Sequence, residues 1–337
     1  MTNLFLSLLA LAPPLAAQDS PVFRAESRLA TVSFHVGQKG FYVENLKASH
    51  FELLEDGKPR PITLFEGGNA TDHSVPVELM LLFDRSGSVV NAGMLQPLVF
   101  QDRVIRGLPN VSLSVYAFTE HLKRYTPPTR DSVVLAAAFD AIKDGGPGGV
   151  SIPVELPTKR KAESGGTWIY ESVIAAAQDA AKGASSVSRL MLIFSDGLST
   201  TASQAEDAAP LCQELGIPVY TVALGHAKVL ASMQRASGGK RPSASTGAAR
   251  AGAKESKVED YLKLAPLTGA LAFDMPEINL DLMQKLLDGV VGEIRTEYIV
   301  GYVPETSDGP PRKHKVEVRL IDKSLGQLVG GTRTVVH

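Results

Sequence analysis

Cysteine and tryptophan are scarce in this sequence, which has one of each, and neither sign of charge is in clear excess. Its 337 residues contain one cysteine, Cys212, which excludes an intramolecular disulfide and any zinc site built from several cysteines. The 34 basic and 36 acidic side chains leave a formal net charge of −2, so the whole chain has no electrostatic reason to bind nucleic acid or an anionic membrane. No apolar run reaches the roughly 18 residues that a membrane-spanning helix needs. What remains is a globular chain of one large or two smaller domains, with no integral membrane span expected in the mature protein.

An apolar stretch near the start of the chain, Leu4–Ala17, has the length and the ending of a signal peptide. It is too short to cross a bilayer, and it closes with small residues before a polar segment. Pro13-Pro14 would interrupt a buried helix here, although Met1–Asn3 lacks the positive charge that usually precedes such a stretch. We therefore expect residues 1–17 to be cleaved and the mature protein to be secreted or periplasmic.

The middle of the chain alternates apolar runs with helical patterns. Val77–Phe83 is apolar without alternation, which is typical of a strand covered on both faces. The pattern predicts an α/β fold, Rossmann-like and doubly wound, with a mainly parallel sheet between two layers of helices. His121–Tyr125 follows its predecessor after two residues and is therefore predicted to be an antiparallel edge strand. The other predicted strands are Val111–Phe118, Leu190–Phe194, Val219–Leu224 and Ala270–Phe273, and the predicted helices are Met94–Leu108, Thr167–Lys182, Ala202–Leu215, Tyr261–Leu267 and Leu280–Arg295.

The two ends of the chain show a different pattern. Lys315–Leu320 alternates apolar and polar residues strictly, as in an antiparallel sheet with one wet face. Neither end alone has enough strands for a stable sheet, so we predict one small β-sandwich built from both ends, with the α/β domain inserted into it. The predicted domains are 18–74 and 297–337 for the β-domain and 75–296 for the α/β domain. The predicted strands are Ala30–Val36, Phe51–Leu54, Ile62–Phe65, Glu297–Val303, Lys313–Ile321 and Leu328–Val336.

Two segments of the α/β domain have the composition of loop insertions. Residues 145–166 are rich in glycine and proline and contain the basic run Lys159-Arg160-Lys161, and residues 226–257 are rich in small and basic side chains. The basic residues could attract an anionic partner, but a solvated loop is the more common meaning of such a composition.

Oxygen-bearing side chains follow the first buried strand. Asp84, Ser86 and Ser88 offer one carboxylate and two hydroxyls within five residues, and Gly87 permits the tight turn that brings them together. The carboxyl ends of parallel strands open onto the ligand crevice, so these groups are expected at the functional edge. Hard oxygen ligands that carry few charges suit Mg²⁺.

Two further oxygen donors are predicted at the same edge. The strand Leu190–Phe194 is followed by Ser195 and Asp196-Gly197, and Gly165-Gly166-Thr167 opens a helix between the two strands along the chain. The sequence thus places five candidate metal ligands on one rim, namely Asp84, Ser86, Ser88, Thr167 and Asp196.

These motifs resemble the metal-ion-dependent adhesion site of the von Willebrand factor type A domain. Asp-x-Ser-x-Ser, Gly-Gly-Thr before a helix and Ser-Asp-Gly after a buried strand occur in that family's order, and the resemblance covers roughly Val77–Glu297. Residues 51–59 and 298–304 are similar to a family of exported bacterial proteins that carry this domain. The long insertion after Leu224-Gly225 departs from the family, which usually continues there directly into its next helix.

The resemblance implies a role for each candidate ligand. Ser86 and Ser88 would bind the metal directly, Asp84 and Asp196 would act directly or through water, and Thr167 would alternate between the two. The metal would be Mg²⁺, with Mn²⁺ or Ca²⁺ as alternatives. Its open coordination position would take the carboxylate of an Asp or Glu from a partner protein. The expected function is therefore a metal-dependent, adhesion-type protein-binding module.

Two other functional classes would use the same residues. A phosphatase with Asp84 as nucleophile would have a second aspartate where this chain has Ser86, and a hydrolase with Ser86 as nucleophile would have glycine where Asp84 and Ser88 stand. Phosphate-binding glycine loops are absent from the sequence as well. We therefore expect no enzyme, while a metal-independent structural or assembly role in the cell envelope stays open.

Overall fold

The computed structural model describes residues 29–38, 41–68, 76–91, 111–145, 147–154, 166–184, 187–225, 257–277, 280–304, 310 and 312–336. The strands in this part of the chain are β1 Ala30–Gln38, β2 Phe41–Tyr42, β3 Phe51–Glu55, β4 Lys58–Arg60, β5 Leu64–Gly67, β6 Val77–Asp84, β7 Val111–Phe118, β8 Leu122–Thr129, β9 Val150–Ile152, β10 Ser188–Ser195, β11 Val219–Leu224, β12 Ala272–Met275, β13 Tyr298–Tyr302, β14 Lys313–Leu320, β15 Gln327–Gly330 and β16 Thr332–Val336. The α-helices are α1 Gly87–Asn91, α2 Ser132–Asp144, α3 Ile169–Ala180, α4 Ala205–Leu215, α5 at residues 257–268 and α6 Leu280–Thr296.

The central sheet has seven strands in the order β12-β11-β10-β6-β7-β8-β9. The five strands from β12 to β7 pair in parallel, and β8 pairs antiparallel with β7. Helices α2 and α6 pack on one face of the sheet, through side chains such as Phe139 and Leu287. Helices α3, α4 and α5 pack on the other face, through side chains such as Val173 and Leu264. The predicted fold class, a doubly wound and mainly parallel α/β sheet, is confirmed.

Two features of this sheet differ from the prediction. The antiparallel strand β8 is present, but it does not form the edge, because the short strand β9 pairs with its other side. Strand β9 lies within residues 145–166, which were predicted to be entirely a loop. The sequence pattern also missed α2, whose N-cap Asp131 accepts hydrogen bonds from the amides of Val133 and Val134 at 2.8 and 3.2 Å. An N-cap aspartate of this kind was the available sequence signal.

The ends of the chain form two antiparallel sheets. One contains β15, β1, β13 and β5 in that order, with β2 paired to β1, and the other contains β16, β14, β3 and β4. Their facing side chains share one core, in which the ring of Phe34 lies 4.9 Å from that of Phe51 and 5.6 Å from that of Tyr298, measured between ring centroids. Strands from both ends of the chain therefore contribute to each of the two sheets, and the α/β unit lies between them in the sequence.

The last predicted strand, Leu328–Val336, is two strands in the structure. Gly330 and Gly331 both have φ of +81°, a conformation that glycine adopts at little cost. Strand β15, before this pair, joins β1, and β16, after it, joins β14 in the other sheet. The two glycines therefore let one segment pass from one sheet of the sandwich to the other.

A buried polar cluster lies where α6 meets the sandwich. The ring of His35 on β1 is hydrogen-bonded through Nε2 to the carbonyl oxygen of Glu293 at 2.9 Å, and Tyr42 donates to Glu293 Oε1 at 3.0 Å. Glu297, between α6 and β13, is buried as well. Burial raises the pKa of Glu293 to about 7 and, together with the charge of Glu293, that of Glu297 to about 8. Burial also lowers the pKa of His35 to about 4.

Several sequence predictions lie outside the described residues. They are the signal peptide of residues 1–17, the helix Met94–Leu108 and the basic residues of both insertions apart from Lys257, whose Nζ donates to the carbonyl of Ser199 at 2.6 Å. None of the helices that the structure does describe is both long and apolar enough to span a membrane. Cys212 is fully buried, and this burial raises the pKa of its thiol to about 12.

Candidate functional site

The first part of the site is the turn between β6 and α1. Asp84 is the last residue of β6, and its side chain is completely buried. Its Oδ1 accepts a hydrogen bond from the backbone amide of Ser86 at 2.7 Å, and the amide of Arg85 donates to the carbonyl of Phe118 at the end of the neighbouring strand. Helix α1 begins at the next residue, Gly87, so Ser88 lies in its first turn. The turn thus brings Ser86 into contact with the buried carboxylate and Ser88 next to Ser86.

The second part comes from the end of β10, which pairs in parallel with β6. Ser88 Oγ donates to Asp196 Oδ2 at 2.6 Å, and the hydroxyl oxygens of Ser86 and Ser88 lie 3.1 Å apart. Ser195 Oγ donates to the other oxygen of Asp84, Oδ2, also at 2.6 Å. Hydrogen bonds therefore join the predicted residues Asp84, Ser86, Ser88 and Asp196 into one cluster, although more than a hundred residues separate its two halves.

The loop that carries Asp196 is fixed by its own backbone. Gly197 has φ of +76°, and its amide donates to Ser195 Oγ at 3.1 Å. The amide of Leu198 donates to Asp196 Oδ1 at 3.0 Å. These contacts turn the chain away from the strand and leave the Asp196 carboxylate facing the serines.

Thr167 is placed on the same rim by its backbone. Its amide donates to Thr200 Oγ1 at 2.8 Å, and its carbonyl accepts from the amide of Thr200, also at 2.8 Å. The next amide, that of Trp168, donates to the carbonyl of Thr119 just beyond β7. Thr167 therefore lies between the ends of β7 and β10, while the hydrogen-bonded cluster itself consists of the other four predicted ligands and Ser195.

Among the described residues, the cluster consists of two carboxylates and hydroxyl groups and contains no basic side chain. Burial, and after it the charge of Asp196, raise the pKa of Asp84 to about 7. Within the described part of the chain no lysine, arginine or histidine forms an ion pair with either aspartate. The same ranges contain no group of three or more His, Cys, Asp or Glu side chains suited to a metal. Any cation bound here would be held by two carboxylates and several hydroxyls.

Sequence reasoning did not assign roles to several hydroxyl residues of this rim. Ser195 donates to Asp84 across the sheet, and Thr200 contacts the backbone of Thr167 on both sides. Thr201 and Ser203 donate to the buried carboxylate of Glu171. The density of Ser and Thr between residues 195 and 203 was the available signal, but only the fold shows which partner each hydroxyl meets.

Several solved structures are similar in fold to this chain at low identity. The conserved hypothetical protein BatB from Bacteroides thetaiotaomicron is 18% identical over 65% of this chain and 97% of its own, with a TM-score of 0.42. Proximal thread matrix protein 1 from the mussel byssus, solved with a zinc-occupied MIDAS motif, is 14% identical over 69% of this chain and 48% of its own, with a TM-score of 0.41. The pilus adhesin SpaC from Lactobacillus rhamnosus GG is 10% identical over 89% and 49%, with a TM-score of 0.44.

Neither a protein-family model nor a curated protein matches the chain. The strand order therefore carries the assignment of the fold. The α/β unit is a doubly wound, mainly parallel sheet between two layers of helices. Its parallel core and its antiparallel strand β8 are those that the sequence pattern predicted, and the Asp84 turn lies at the carboxyl end of β6.

Proposed function

We propose that this chain is an exported protein-binding module that holds a divalent cation at the Asp84 rim and binds an acidic group of a partner protein through it. The observation that carries the proposal is the hydrogen bond between Ser88 Oγ and Asp196 Oδ2, at 2.6 Å. It supports the view that residues from two distant motifs act at one point. The export part of the proposal comes from the apolar stretch Leu4–Ala17.

The residues on the rim fit a hard divalent cation. Asp84 and Asp196 supply carboxylate oxygens, Ser86 and Ser88 supply hydroxyl oxygens in the same hydrogen-bonded cluster, and Thr167 adds a further hydroxyl at the rim. Oxygen-only sets with one or two carboxylates are those that Mg²⁺ accepts, and Mn²⁺ and Ca²⁺ are the alternatives. We propose that these five side chains hold the metal. With these ligands the ion would keep one open coordination position, which a carboxylate of the partner would fill.

This proposal predicts stabilisation by metal that depends on Ser88. Thermal unfolding is measured in EDTA and then with Mg²⁺, Mn²⁺ or Ca²⁺, for the wild type, for Ser88→Ala and for Ser112→Ala. A ligand that binds only the folded state contributes about 2.7 kcal/mol at a hundredfold excess over its Kd, so a rise in Tm is expected for the wild type. We expect Ser88→Ala to lose most of that rise.

Ser112→Ala is the matched control. Ser112 Oγ donates to the carbonyl of Val77 at 3.2 Å, near the amino ends of β7 and β6. The rim lies at the carboxyl ends, so this variant loses one hydroxyl without changing the rim. It should keep the full metal response. An equal metal response in Ser88→Ala and the wild type would show that the cation binds elsewhere.

The partner is tested by selection of displayed random peptides on the metal-loaded protein. The proposal expects Asp- or Glu-containing peptides to be enriched with Mg²⁺ and lost on addition of EDTA. Selected peptides should also lose binding when their acidic residue is replaced by Asn or Gln. Peptides that bind equally well in EDTA would point to a metal-independent surface instead.

A further inference from the structure

Glu171 is a buried acid close to the rim that the proposed metal site does not use. It lies in the first turn of α3, four residues after Thr167, and is 1% exposed. Both carboxylate oxygens accept hydrogen bonds, from Ser203 Oγ to Oε1 at 2.7 Å and from Thr201 Oγ1 to Oε2 at 3.2 Å. A buried carboxylate is costly unless it is hydrogen-bonded, and a position in the first turn of a helix favours its charge.

The two donors belong to the loop that begins at Asp196. Ser199 Oγ lies 3.0 Å from Thr201 Oγ1 and donates to the carbonyl of Thr167 at 3.3 Å. Thr200 Oγ1 donates to the same carbonyl at 3.1 Å. Because each hydroxyl has a single proton to donate, Ser199 and Thr201 do not also bond to each other while both keep these partners. A path from Glu171 to the backbone of Thr167 therefore runs through the hydrogen bonds of Thr201 and Ser199 and the loop backbone between them.

This path joins two separate pieces of the rim. Asp196 is carried by the loop after β10, and Thr167 precedes α3, so the distance between them depends on how the loop is held against the start of the helix. Glu171 is the one carboxylate in the described part of the path, and it accepts from two loop residues at once. Its loss would leave Thr201 and Ser203 without their shared acceptor.

We infer that Glu171 is a positioning residue for the metal site, which fixes the Asp196 loop against the start of α3 through Thr201 and Ser203. The inference rests on the proposed function. Glu171 acts through Asp196 and Thr167 and binds no metal itself. Partners of metal ligands that orient them in this way typically change metal affinity by 10- to 100-fold when removed.

The test compares Glu171→Ala with Glu171→Gln in calorimetric titrations with Mn²⁺. Alanine removes both acceptors, and we expect its Kd to rise by about 10- to 100-fold. Glutamine keeps the network, because its carbonyl accepts from Ser203 and its amide donates to Thr201, whose hydroxyl then donates to Ser199. We expect its Kd to stay within about threefold of the wild type. Equal weakening in both variants would mean that the charge of Glu171 acts directly, and no weakening in either would mean that it does not act at all; both results overturn the inference.

Asp179→Asn controls for loss of a buried acid in the same helix. Asp179 lies in the last turn of α3, 7% exposed, and is bonded to Arg124 at 2.7 Å. We expect this variant to lose stability but to keep the wild-type Kd for Mn²⁺. A Kd weakened as much as in Glu171→Ala would reduce the role of Glu171 to general support of α3.

Amide hydrogen exchange in EDTA separates this inference from the proposed function. The amide of Thr167 donates to Thr200 Oγ1, and the amide of Thr200 donates to the carbonyl of Thr167. In Glu171→Ala both amides should exchange faster, while the amides in the second half of α3 keep their protection. If the wild type binds no Mn²⁺, the proposed function fails, and faster exchange then shows that Glu171 holds the loop without serving a metal. Unchanged exchange together with unchanged affinity rejects the inference alone.

Discussion

At the residue scale, the site depends on how a buried carboxylate is supported. The side chain of Asp84 is completely enclosed and is held by the amide of Ser86 on one oxygen and the hydroxyl of Ser195 on the other. Leaving a buried acceptor without its donor costs about 1–3 kcal/mol, more when the acceptor is charged. Ser195 therefore supports the folded protein as well as the geometry of the rim.

We predict that Ser195→Ala lowers the free energy of unfolding by about 1–3 kcal/mol. The cause is the loss of the 2.6 Å hydrogen bond to Asp84 Oδ2. Urea unfolding in EDTA measures the effect, and Ser112→Ala, which loses a 3.2 Å bond to the carbonyl of Val77, is the control with a smaller expected loss. Two variants of equal stability would contradict the proposed support of Asp84.

The sequence allowed the ligand types to be predicted at this scale, but not their supports. Asp84, Ser86, Ser88 and Asp196 stand at the ends of strongly apolar strands, and this position is visible without a structure. The contact from Ser195 to Asp84 depends on the register that pairs Phe194 with Phe83 across two parallel strands. A single sequence does not reveal which of several pairings two apolar strands adopt.

At the scale of elements, the pair Gly330-Gly331 decides where one segment passes from the first sheet of the sandwich to the second. Gly331 has φ of +81°, and a Cβ at this position would lie 3.3 Å from Leu328 Cδ2 and 3.5 Å from Val318 Cβ. Gly289, in contrast, is in the middle of α6, and a Cβ there would meet nothing within 4 Å. The same substitution should therefore have opposite effects at these two positions.

We predict that Gly331→Ala lowers the free energy of unfolding by about 1–3 kcal/mol, since alanine is strained at a positive φ. Gly289→Ala is the matched control and should raise it by up to about 1 kcal/mol, because alanine is the better helix former. Both values come from chemical unfolding of the full chain. Equal effects in the two variants would contradict the backbone assignment at the sheet crossing.

The glycine pair also shows what an alternation of apolar and polar residues does not reveal. Leu328–Val336 alternates well enough to predict a strand, and both observed strands lie on that pattern. The change of sheet depends on two backbone angles, which the alternation does not report. Helix α2 was missed for a related reason, since its apolar positions Leu135, Phe139 and Ile142 lie in a short alanine-rich segment directly before the glycine-rich residues 145–166.

At the scale of the whole molecule, the α/β unit and the sandwich meet through groups that titrate. Glu293 and Glu297 each leave one buried oxygen without a hydrogen-bond partner among the described residues. They share this junction with His35, Tyr42 and Tyr220. Raised carboxyl pKa values mean that the folded protein binds more protons than the unfolded chain, whereas the lowered pKa of His35 means that it binds fewer.

Stability should therefore decrease on both sides of a maximum. The contribution of Glu297 is complete below its unfolded pKa of 4.5 and is lost as the pH rises to about 8. The contribution of His35 is present above 6.5 and is lost as the pH falls to about 4. We predict that Glu297→Gln removes roughly 2–4 kcal/mol of the decrease between pH 5 and 8.5, at about 1.4 kcal/mol for each unit of pKa shift.

Urea unfolding at several pH values in EDTA tests this prediction through the difference between wild type and variant. Asp84 titrates in the same direction, but it is present in both proteins, so its contribution cancels in the difference. Parallel pH profiles for the wild type and Glu297→Gln would show that Glu297 has the same pKa in the folded and in the unfolded protein.

The pairing of the two chain ends has a consequence for the order in which the parts of the protein fold. Ala30 on β1 pairs with Tyr302 on β13, and Phe51 on β3 pairs with Leu320 on β14. A chain emerging from the ribosome lacks the C-terminal partners of β1 and β3 until its last strands have been synthesised. The α/β unit, whose strands lie closer together in sequence, can form earlier, because its loops are shorter to close. The sandwich is then the last part to form, and an incomplete chain retains open edges that favour aggregation or degradation.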